Sequence, residues 1–405
     1  MKIALVTDSY YPYIGGIQRY VDELANIFSE RHEVHILTQE VPGYPEIELR
    51  NNVTIHRMKS LINAESSPLS VLKNHPQLSE CFRELKLDII HTNNHCSLGV
   101  IKAAKVSKIP VIYCVHGYGL LCPKHSFIRN NDKLCDKFSN FACVRFCNYR
   151  NIQNLLIVND YRKRNKLIKS SDGIIVPSKQ VSQLFEIEKN NLSVIYHGVD
   201  INRFFPVRSE SFKQKYDLDE YILVIARLIP EKGIEYAIRA IKEINSKLVI
   251  IGDYDLSQRA HKNPYLNKLY RLVETLEVQN KVLFLQFQDH CELIKALSGA
   301  SVTLIPSIWR EPFGLIALES LACGTPVIIT HVCGVAELLD TTVGRIIKEG
   351  AVESIIAALH KVLPNSKEMG KRGRTKVKNE LTWTHTAVKT LSLYERILKQ
   401  NFNKE

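Results

Sequence analysis

Short apolar runs alternate with longer mixed segments along the first half of this 405-residue chain. The runs are rich in Val and Ile and are continuous, which is typical of strands buried on both faces of a parallel sheet. The segments between them have helical spacing, as in Ile17–Ser29, where Tyr20, Leu24 and Ile27 recur on one face. The predicted strands are Ile3–Thr7, Val34–Thr38, Val53–Met58, Ile89–Thr92, Val111–Val115, Gly173–Val176 and Ser193–Tyr196.

The same alternation restarts in the second half of the chain. Further apolar runs, again separated by helical spacing, follow a break at Phe204-Phe205-Pro206. Two such series in tandem predict an α/β chain of two doubly wound, Rossmann-like domains. The predicted strands of the second series are Tyr221–Ala226, Leu248–Ile251, Val282–Leu285, Val302–Ile305, Val327–Thr330 and Val343–Ile347.

The break and the end of the second series define the predicted domains. We expect a first domain at 1–205, a second domain at 206–382 and a tail at 383–405. The tail has an amphipathic helical pattern over Trp383–Leu398, and its apolar side must pack on another element. That side carries Ala387, Leu391, Tyr394 and Leu398.

Ligands of open α/β sheets bind outside the carboxyl ends of the strands, so a cleft between two facing sheets is the expected site. Gly15 and Gly16 lie in such a position, between the first predicted strand and the first predicted helix. Paired glycines let backbone N–H groups approach an anion, and the helix N-terminus adds its dipole. A simple turn would explain the same pair of glycines.

A second candidate begins directly after the strand Tyr221–Ala226. Arg227 and Lys232 leave the sheet edge together, and two fixed cations can neutralise charge that builds on an anionic leaving group. Gly233 is expected to open the next helix. An exposed basic turn is the ordinary alternative.

A third candidate follows the strand Val302–Ile305, where Glu311 and Glu319 are eight residues apart. Pro312 suits a first helical turn, and Gly314 lets a ligand come near its N–H groups. A helix through both glutamates would place them about 12 Å apart, too far to share one metal ion or one proton. They can instead accept hydrogen bonds from hydroxyls at two ends of an extended ligand, although two surface glutamates would give the same bare pattern.

His116 ends the strand Val111–Val115 and is followed by Gly117. A histidine at the carboxyl end of a strand can hydrogen-bond a sugar hydroxyl or help a proton to move. A structural histidine is the commoner explanation for a single residue of this type.

The ten cysteines are unevenly spread, with a cluster in a predicted insertion at 117–150. In a reducing compartment such a cluster favours metal over disulfides, and a structural zinc site is the first interpretation. Scattered loop thiols are the alternative. The predicted zinc ligands are Cys122, Cys135, Cys143 and Cys147.

The formal net charge is +12, and one stretch at 145–169 is strongly basic. Such a stretch attracts phosphates of nucleic acid or of an anionic membrane, or it is a solvated helix face. Without a secretory signal or a long apolar run, the sequence predicts a cytoplasmic protein, with contact to the inner face of a membrane as an option. The basic side chains, which face only Asp160, are Arg145, Arg150, Arg162, Lys163, Arg164, Lys166 and Lys169.

Together these segments resemble the family-four retaining glycosyltransferases, also called glycosyl transferases group 1, which have the GT-B fold. The resemblance covers most of the chain, and the order and spacing of its parts make it specific. It includes Gly15-Gly16-Ile17-Gln18-Arg19-Tyr20, His197-Gly198-Val199-Asp200, Arg227 to Gly233, Glu311 to Leu315 with Glu319, Ala322 to Val327, and the tail from Trp383 to Tyr394.

The resemblance implies a role for each matching residue. Glu311 would contact the donor sugar and Glu319 the ribose hydroxyls, while the diphosphate would be held by Arg227 and Lys232. The tail would cross back onto the first domain. The implied contacts to sugar and phosphate also include Gly15, Gly16, His116, Phe313, Gly314 and Leu315.

The resemblance also implies the reaction. A hexose-type sugar would move from a UDP- or GDP-sugar to a hydroxyl of a carbohydrate or lipid-linked acceptor, with retention of configuration and no metal ion for the chemistry. The first domain would bind the acceptor and the second the nucleotide sugar, and nucleic acid is not an expected partner. Cell-envelope glycans fit the basic first domain.

Two other functions remain open from the residues alone. One is a nucleotide-sugar epimerase on the same fold, and the other is a non-catalytic basic protein derived from a transferase. The chain also departs from the family pattern: Asp253-Tyr254 follow Gly252 without a second glycine, and Gln286 and Cys333 replace frequent glycines. These departures affect the base contacts and the donor choice more than the reaction type.

Overall fold

The computed structural model divides the chain into two compact units. The first comprises Met1–His197 and Trp383–Glu405, and the second comprises Gly198–Thr382. The structure describes residues 1–13, 15–61, 75–93, 96–119, 121–122, 124–128, 135, 143, 147, 163–184, 191–252 and 263–402.

The described residues of the first unit form an eight-stranded sheet in the order β3-β4-β2-β1-β5-β6-β7-β8. Neighbouring strands are parallel, except for the antiparallel pair β3 and β4. The strands are β1 (Lys2–Val6), β2 (Glu33–Gln39), β3 (Ile47–Arg50), β4 (Val53–Met58), β5 (Ile89–Asn93), β6 (Val111–Cys114), β7 (Gly173–Val176) and β8 (Leu192–Val194).

Helices connect these strands, and residues 163–169 are also helical. The other helices among the described residues before the domain junction are α1 (Gly16–Phe28), α2 (His75–Glu84), α3 (Ser97–Ser107) and α4 (Lys179–Ser182). In α1 the buried stripe is Tyr20, Leu24 and Phe28, whereas the predicted Ile27 is only half-buried. The structure therefore confirms the helix, but its buried face includes Phe28 where Ile27 was predicted.

Strand β3 is the one strand of the described sheet that the sequence pattern did not predict. It has only four residues, and its apolar members Ile47 and Leu49 are exposed. A short alternating strand at a sheet edge lacks the continuous Val- and Ile-rich run that marks a buried parallel strand. The other seven strands of this unit confirm the predicted runs.

The second unit contains a six-stranded parallel sheet in the order β11-β10-β9-β12-β13-β14. All six predicted strands are present, so the two Rossmann-like α/β units predicted from the sequence are confirmed. The strands are β9 (Tyr221–Ile225), β10 (Lys247–Ile251), β11 (Val282–Leu285), β12 (Val302–Ile305), β13 (Val327–Thr330) and β14 (Gly344–Ile347).

The helices of the second unit cover this sheet, and a buried cluster of aliphatic residues from strands and helices forms its core. Short 3₁₀ turns occur at Pro230–Lys232, Gly334–Leu338 and Leu363–Asn365. The α-helices are α5 (Glu210–Lys215), α6 (Ile234–Ile241), α7 (Pro264–Thr275), α8 (His290–Gly299), α9 (Leu315–Ala322), α10 (Val352–Val362) and α11 (Ser366–Glu380).

The last helix, α12 (Trp383–Phe402), belongs to the first unit, as the predicted tail implies. Its Thr386 Oγ1 donates to the carbonyl of Tyr196 at 2.9 Å. Ala387 and Tyr394 are buried as predicted, but Leu391 and Leu398 are half-buried, and the rest of the buried stripe includes Leu393 and Ile397. The helix packs as expected, with its buried face shifted toward Leu393.

A buried cluster of aromatic and histidine rings lies against α12 in the first unit. The Tyr20 ring lies 5.9 Å from both His91 and Trp383, and 5.0 Å from His197. Nδ1 of His91 is 2.6 Å from the hydroxyl of Tyr394. Burial lowers the pKa of His91 and of His197 to about 3, so both imidazoles are neutral at physiological pH.

Candidate active site

The strand order of the second unit fixes where its candidate residues meet. Chain order reverses between β9 and β12, which lie side by side, and such a switch point opens a crevice at the carboxyl ends of the strands. Arg227 and Lys232 follow β9, and Glu311 follows β12. The topology therefore brings the second and third sequence candidates to the same edge of the sheet.

Lys232 and Glu311 form a direct ion pair at this edge. Lys232 Nζ donates to Glu311 Oε1 at 2.7 Å, and the two side chains are only 13% and 17% exposed. Lys232 Nζ also lies 5.8 Å from the centre of the Trp309 ring. This partly desolvated ammonium group has a stronger electrostatic effect than an exposed lysine would have.

Two further side chains contact the other oxygen of Glu311. Ser307 Oγ donates to Oε2 at 3.1 Å, and the thiol of Cys333 lies 3.9 Å from the same oxygen. Burial, followed by the charge of Glu311, raises the pKa of Cys333 to about 12, so it remains a thiol and acts as a weak donor. The Glu311 carboxylate is thus fixed at both oxygens.

The backbone holds the two loops together. Ile308 N donates to Glu231 O at 2.9 Å, which joins the loop after β9 to the loop after β12. Gly233 has φ +65°, and a Cβ at that position would lie 2.1 Å from Pro306 O. Glycine is therefore required at the start of α6, in agreement with the sequence prediction that Gly233 opens this helix.

The two glutamates do not share a helix, so the prediction of one helix through both, from which the separation of about 12 Å followed, is wrong. Glu311 pairs with Cys333 in an isolated parallel bridge, and α9 begins only at Leu315. Gly314, with φ +106°, turns the chain between them, because a left-handed residue cannot continue a right-handed helix. Pro312 accordingly lies before the helix.

Glu319 is on α9 and is 8% exposed. Phe313 is buried and Leu315 is half-buried, so the loop before α9 is anchored by its side chains while its backbone forms the helix N-terminus. Val335 N donates to Phe313 O at 2.9 Å and fixes this loop from the other side. The N-terminus of α9 therefore has a defined position at the sheet edge, suited to a polar or anionic ligand.

A cavity of about 270 Å³ opens beside this edge. Arg227 contributes to its lining from the loop after β9, and Phe287 and Gln288 contribute from the loop after β11. The remaining lining residues are Ile225, Ala226, Ile251, Gly252 and Leu293. Phe287 and Gln288 were not predicted from the sequence, although Gln286, which departs from the family pattern directly before them, marks their loop.

In the first unit, Gly15 and Gly16 follow β1 as predicted. Gly16 is the first residue of α1, and Gly15 precedes it in extended backbone. The first turn of α1 carries no acidic side chain. Its N-terminus therefore keeps the positive end of the helix dipole.

His116 lies just beyond β6, also as predicted. Its Nε2 is 2.8 Å from Asn93 Oδ1, and Asn93 Nδ2 donates to Val6 O at 3.1 Å. Since Oδ1 can only accept, Nε2 of His116 must carry the proton. Burial and the neighbouring His197 and His91 lower the pKa of His116 well below its usual range, so the ring is neutral and Nδ1 is an acceptor. Asn93 is a further residue that the sequence analysis did not identify.

The predicted zinc site is not supported. Cys122, Cys135, Cys143 and Cys147 lie among the described residues, although most of the insertion 117–150 lies outside them. Within the described part of the chain, no three His, Cys, Asp or Glu side chains are placed to hold a metal ion. Burial also raises the pKa of the Cys122 thiol, which opposes formation of the thiolate that zinc requires.

Two family models match consecutive parts of this chain. Residues 14–203 match the model described as Glycosyltransferase Family 4, and residues 208–378 match Glycosyl transferases group 1. The chain belongs to glycosyltransferase family 4. Its fold is GT-B, as predicted from the sequence.

Individual proteins agree with the family assignment. This family-four glycosyltransferase is 27% identical to an uncharacterized glycosyltransferase of Methanocaldococcus jannaschii over 98% of both chains. It is 22% identical to N-acetyl-alpha-D-glucosaminyl L-malate synthase of Bacillus anthracis over 97% of both chains. The solved structure of Anabaena HepE in complex with UDP-glucose is 19% identical and has a TM-score of 0.70, covering 97% of this chain and 99% of that one.

In the described residues of this family-four glycosyltransferase, no helix combines the length and apolarity that a bilayer span demands.

Proposed function

We propose that this family-four glycosyltransferase moves a hexose-type sugar from a nucleotide diphosphate sugar to a hydroxyl acceptor, with retention of configuration and without a metal ion in the chemistry. The observation that carries the proposal is the Lys232–Glu311 pair at the switch point, on the sheet edge that also carries the cavity lined by Arg227 and the N-terminus of α9. Basic and hydroxyl-binding groups at one sheet edge suit a ligand that combines a diphosphate with sugar hydroxyls.

In this proposal, Arg227 and Lys232 bind the diphosphate. An incoming phosphate competes with Glu311 for the Lys232 ammonium, and Glu311, still held by Ser307, becomes free to accept a hydrogen bond from a donor-sugar hydroxyl. Glu319 accepts hydrogen bonds from the ribose hydroxyls. The backbone N–H groups of Gly314 and Leu315 contact the sugar and phosphate from the start of α9.

The proposed reaction is a front-face displacement. The bond between the anomeric carbon and the β-phosphate oxygen breaks, and a bond from that carbon to the acceptor oxygen forms on the same face of the sugar. The acceptor proton passes to a phosphate oxygen of the departing nucleoside diphosphate. Lys232 and Arg227 stabilise the negative charge that develops on that diphosphate, which lowers the barrier.

Two groups of the first unit have proposed roles in the same reaction. Gly15 and Gly16 contact phosphate through the N-terminus of α1. His116 offers its unprotonated Nδ1 to a sugar hydroxyl, because Asn93 fixes the proton on Nε2. The first unit is the proposed acceptor domain, and the second is the proposed nucleotide-sugar domain.

The cavity beside Arg227 is the proposed site of the nucleotide base. Phe287 exposes 73% of its surface and lines this cavity, so its ring is available to stack on a base. UDP- and GDP-sugars are the proposed donor classes. HepE, whose solved structure contains UDP-glucose, supports the first of them.

Replacement of Phe287 by alanine tests the base site. We expect KM for the donor to rise about tenfold with little change in kcat, because base–aromatic stacking contributes about 1–3 kcal/mol. Hydrolysis and transfer are measured with a panel of UDP- and GDP-sugars. Thermal shift gives an independent readout, since a bound donor raises the apparent stability.

The matched control is Ile346→Ala, which also removes a large exposed side chain from the second unit but lies on β14. It should leave KM and the donor-induced thermal shift unchanged. If no nucleotide sugar of the panel is hydrolysed, transferred or able to raise the unfolding temperature, the proposed function is wrong. Equal KM in Phe287→Ala and the parent enzyme would count against the base site alone.

The acceptor is proposed to be a carbohydrate or a lipid-linked glycan, with peripheral contact to an anionic membrane. The basic stretch supports this contact: Lys163, Lys166 and Lys169 are exposed on the helix at 163–169, whereas Arg145, Arg150 and Arg162 lie outside the described residues. Exposed lysines near an anionic surface each contribute about 1 kcal/mol of attraction.

We expect the enzyme to sediment with vesicles that contain anionic phospholipid. Added salt should lower the bound fraction several-fold, because salt screens exposed charges. Replacing Lys163, Lys166 and Lys169 by glutamate should abolish this binding. The control with the same change in net charge replaces Lys367, Lys371 and Lys378 of α11, which are also exposed. Equal loss of vesicle binding in both variants would indicate a nonspecific charge effect and contradict the proposed role of the helix at 163–169.

A further inference from the structure

Strand β3 is the terminal strand of the sheet in the first unit, and no strand among the described residues pairs with its outer edge. Its side chains alternate in an unusual way, because the apolar ones are exposed and the charged ones are partly covered. Ile47 and Leu49 are 65% and 73% exposed, whereas Glu48 and Arg50 on the opposite face are partly covered. Natural edge strands commonly place charges, not aliphatic side chains, on exposed positions, because an apolar edge pairs readily with another strand.

The backbone of the same two residues also faces outward. Arg57 N donates to Glu46 O at 2.7 Å, and the register places Glu48 opposite Ile55 and Arg50 opposite Val53. Hydrogen-bonded pairs recur at every second residue of an antiparallel ladder. The N–H and C=O groups of Ile47 and Leu49 therefore point away from β4, toward the free edge.

The alternation limits how two copies of β3 can pair with each other. Directly opposite residues of an antiparallel pair point to the same face of a sheet, so Leu49 can lie opposite only Ile47 or Leu49 of a second copy. If Ile47 lay opposite Leu49, the two Glu48 side chains would face each other, which is unfavourable. If Leu49 lay opposite Leu49, Glu48 of each copy would lie opposite Arg50 of the other.

We propose that β3 is a self-association edge: two copies of this chain pair antiparallel through β3, with a twofold axis at Leu49. The pairing satisfies both outward backbone groups of each Leu49, brings the two Leu49 side chains together and forms two Glu48–Arg50 ion pairs. Within each copy these groups already have fixed positions, because Glu48 accepts from Arg57 at 2.8 Å and Arg50 lies 4.4 Å from the centre of the Tyr11 ring.

The expected association is weak and concentration-dependent. A four-residue strand contributes a small interface, and interfaces below about 1,200 Å² are characteristic of transient complexes. Exposed Tyr44, which stacks edge-to-face on Tyr11 at 5.8 Å, adds aromatic surface next to the strand. This proposal does not depend on the proposed enzymatic reaction.

Cysteine crosslinking of the full chain tests both the pairing and its register. The background carries Cys291→Ser, which removes an exposed native thiol. Under mild oxidation, Leu49→Cys should form a covalent dimer, because residues opposite each other in a hydrogen-bonded pair have Cα atoms about 5.5 Å apart, within disulfide range. Ile47→Cys is the matched control on the same strand and face, since its two copies would lie about 14 Å apart.

Sedimentation velocity over a concentration series provides the second readout. Leu49→Lys places two like charges opposite each other and should raise the dimer dissociation constant at least tenfold. Val106→Lys, at an exposed apolar position on α3, should sediment like the parent chain. Because both positions are exposed, neither substitution should disturb the fold. An unchanged unfolding temperature would verify this.

The expected result is rapid crosslinking of Leu49→Cys, slow crosslinking of Ile47→Cys, and loss of association only in Leu49→Lys. Crosslinking of Leu49→Cys that is no faster than that of Ile47→Cys would overturn the proposal and leave the edge to an extended segment of another protein. A dimer that persists unchanged in Leu49→Lys would overturn it as well.

Discussion

Replacement of Lys232 by alanine is expected to lower kcat for sugar transfer by about 10²–10³-fold, the usual effect of removing one preorganised electrostatic contact. The change removes the proposed cation on the departing diphosphate. It also leaves Glu311, which is 17% exposed, without the ammonium group at 2.7 Å. The fold should persist, because Ser307 still donates to Glu311 and the backbone bond from Ile308 to Glu231 is untouched.

The measurement is transfer and donor hydrolysis at saturating donor, with circular dichroism to verify folding. Lys268→Ala is the matched control, because Lys268 forms an ion pair of the same 2.7 Å length with Glu235 but is 61% exposed. It should retain normal turnover, as exposed ion pairs contribute little. Near-normal turnover in Lys232→Ala would refute the proposed role of this residue.

Acidification is expected to destabilise the first unit as the pH falls below about 6.5, the ordinary pKa of histidine. His91 and His197 have pKa values of about 3 in the folded protein. Between these limits the unfolded chain binds protons that the folded chain does not, so stability falls as the pH decreases. At pH 5 the expected loss is about 2 kcal/mol for each of these histidines.

Urea unfolding of the intact enzyme between pH 7 and pH 5 measures this loss. His91→Gln should be less stable than the parent enzyme at pH 7. Because it removes one titrating group, its free energy of unfolding should depend less steeply on pH. An unaltered slope in His91→Gln would show that proton uptake by His91 is not the cause.

Most strands could be predicted from the sequence because each is a continuous apolar run flanked by helical spacing. Strand β3 could not be predicted, since Ile47 and Leu49 alternate with Glu48 and Arg50 and are held by backbone pairing with β4 rather than by burial. The tail helix was predicted in place, but its buried face depends on the Tyr20 and His91 rings that it covers, and these come from distant parts of the sequence.

The candidate site likewise contains residues that the sequence predicts and contacts that it does not. Arg227, Lys232 and Glu311 could be chosen because each follows a predicted strand, and the switch point then brings the loops together. The contact of Cys333 with Glu311 arises from a bridge between separate loops, which no spacing along the chain reveals. Ser307 lies on the same loop as Glu311, but its bond to the carboxylate depends on how that loop folds. The assumption of one helix through Glu311 and Glu319 was wrong because Gly314 adopts a left-handed conformation.

The return of α12 to the first unit has a consequence for the order of events during protein synthesis. His91 meets Tyr394, and Tyr20 meets Trp383, only after the ribosome has translated everything between them. The segment 198–382 has its own sheet and core, so it can fold while the earlier segment still lacks its last helix. The first unit therefore begins to be synthesised before the second unit but completes its fold after it.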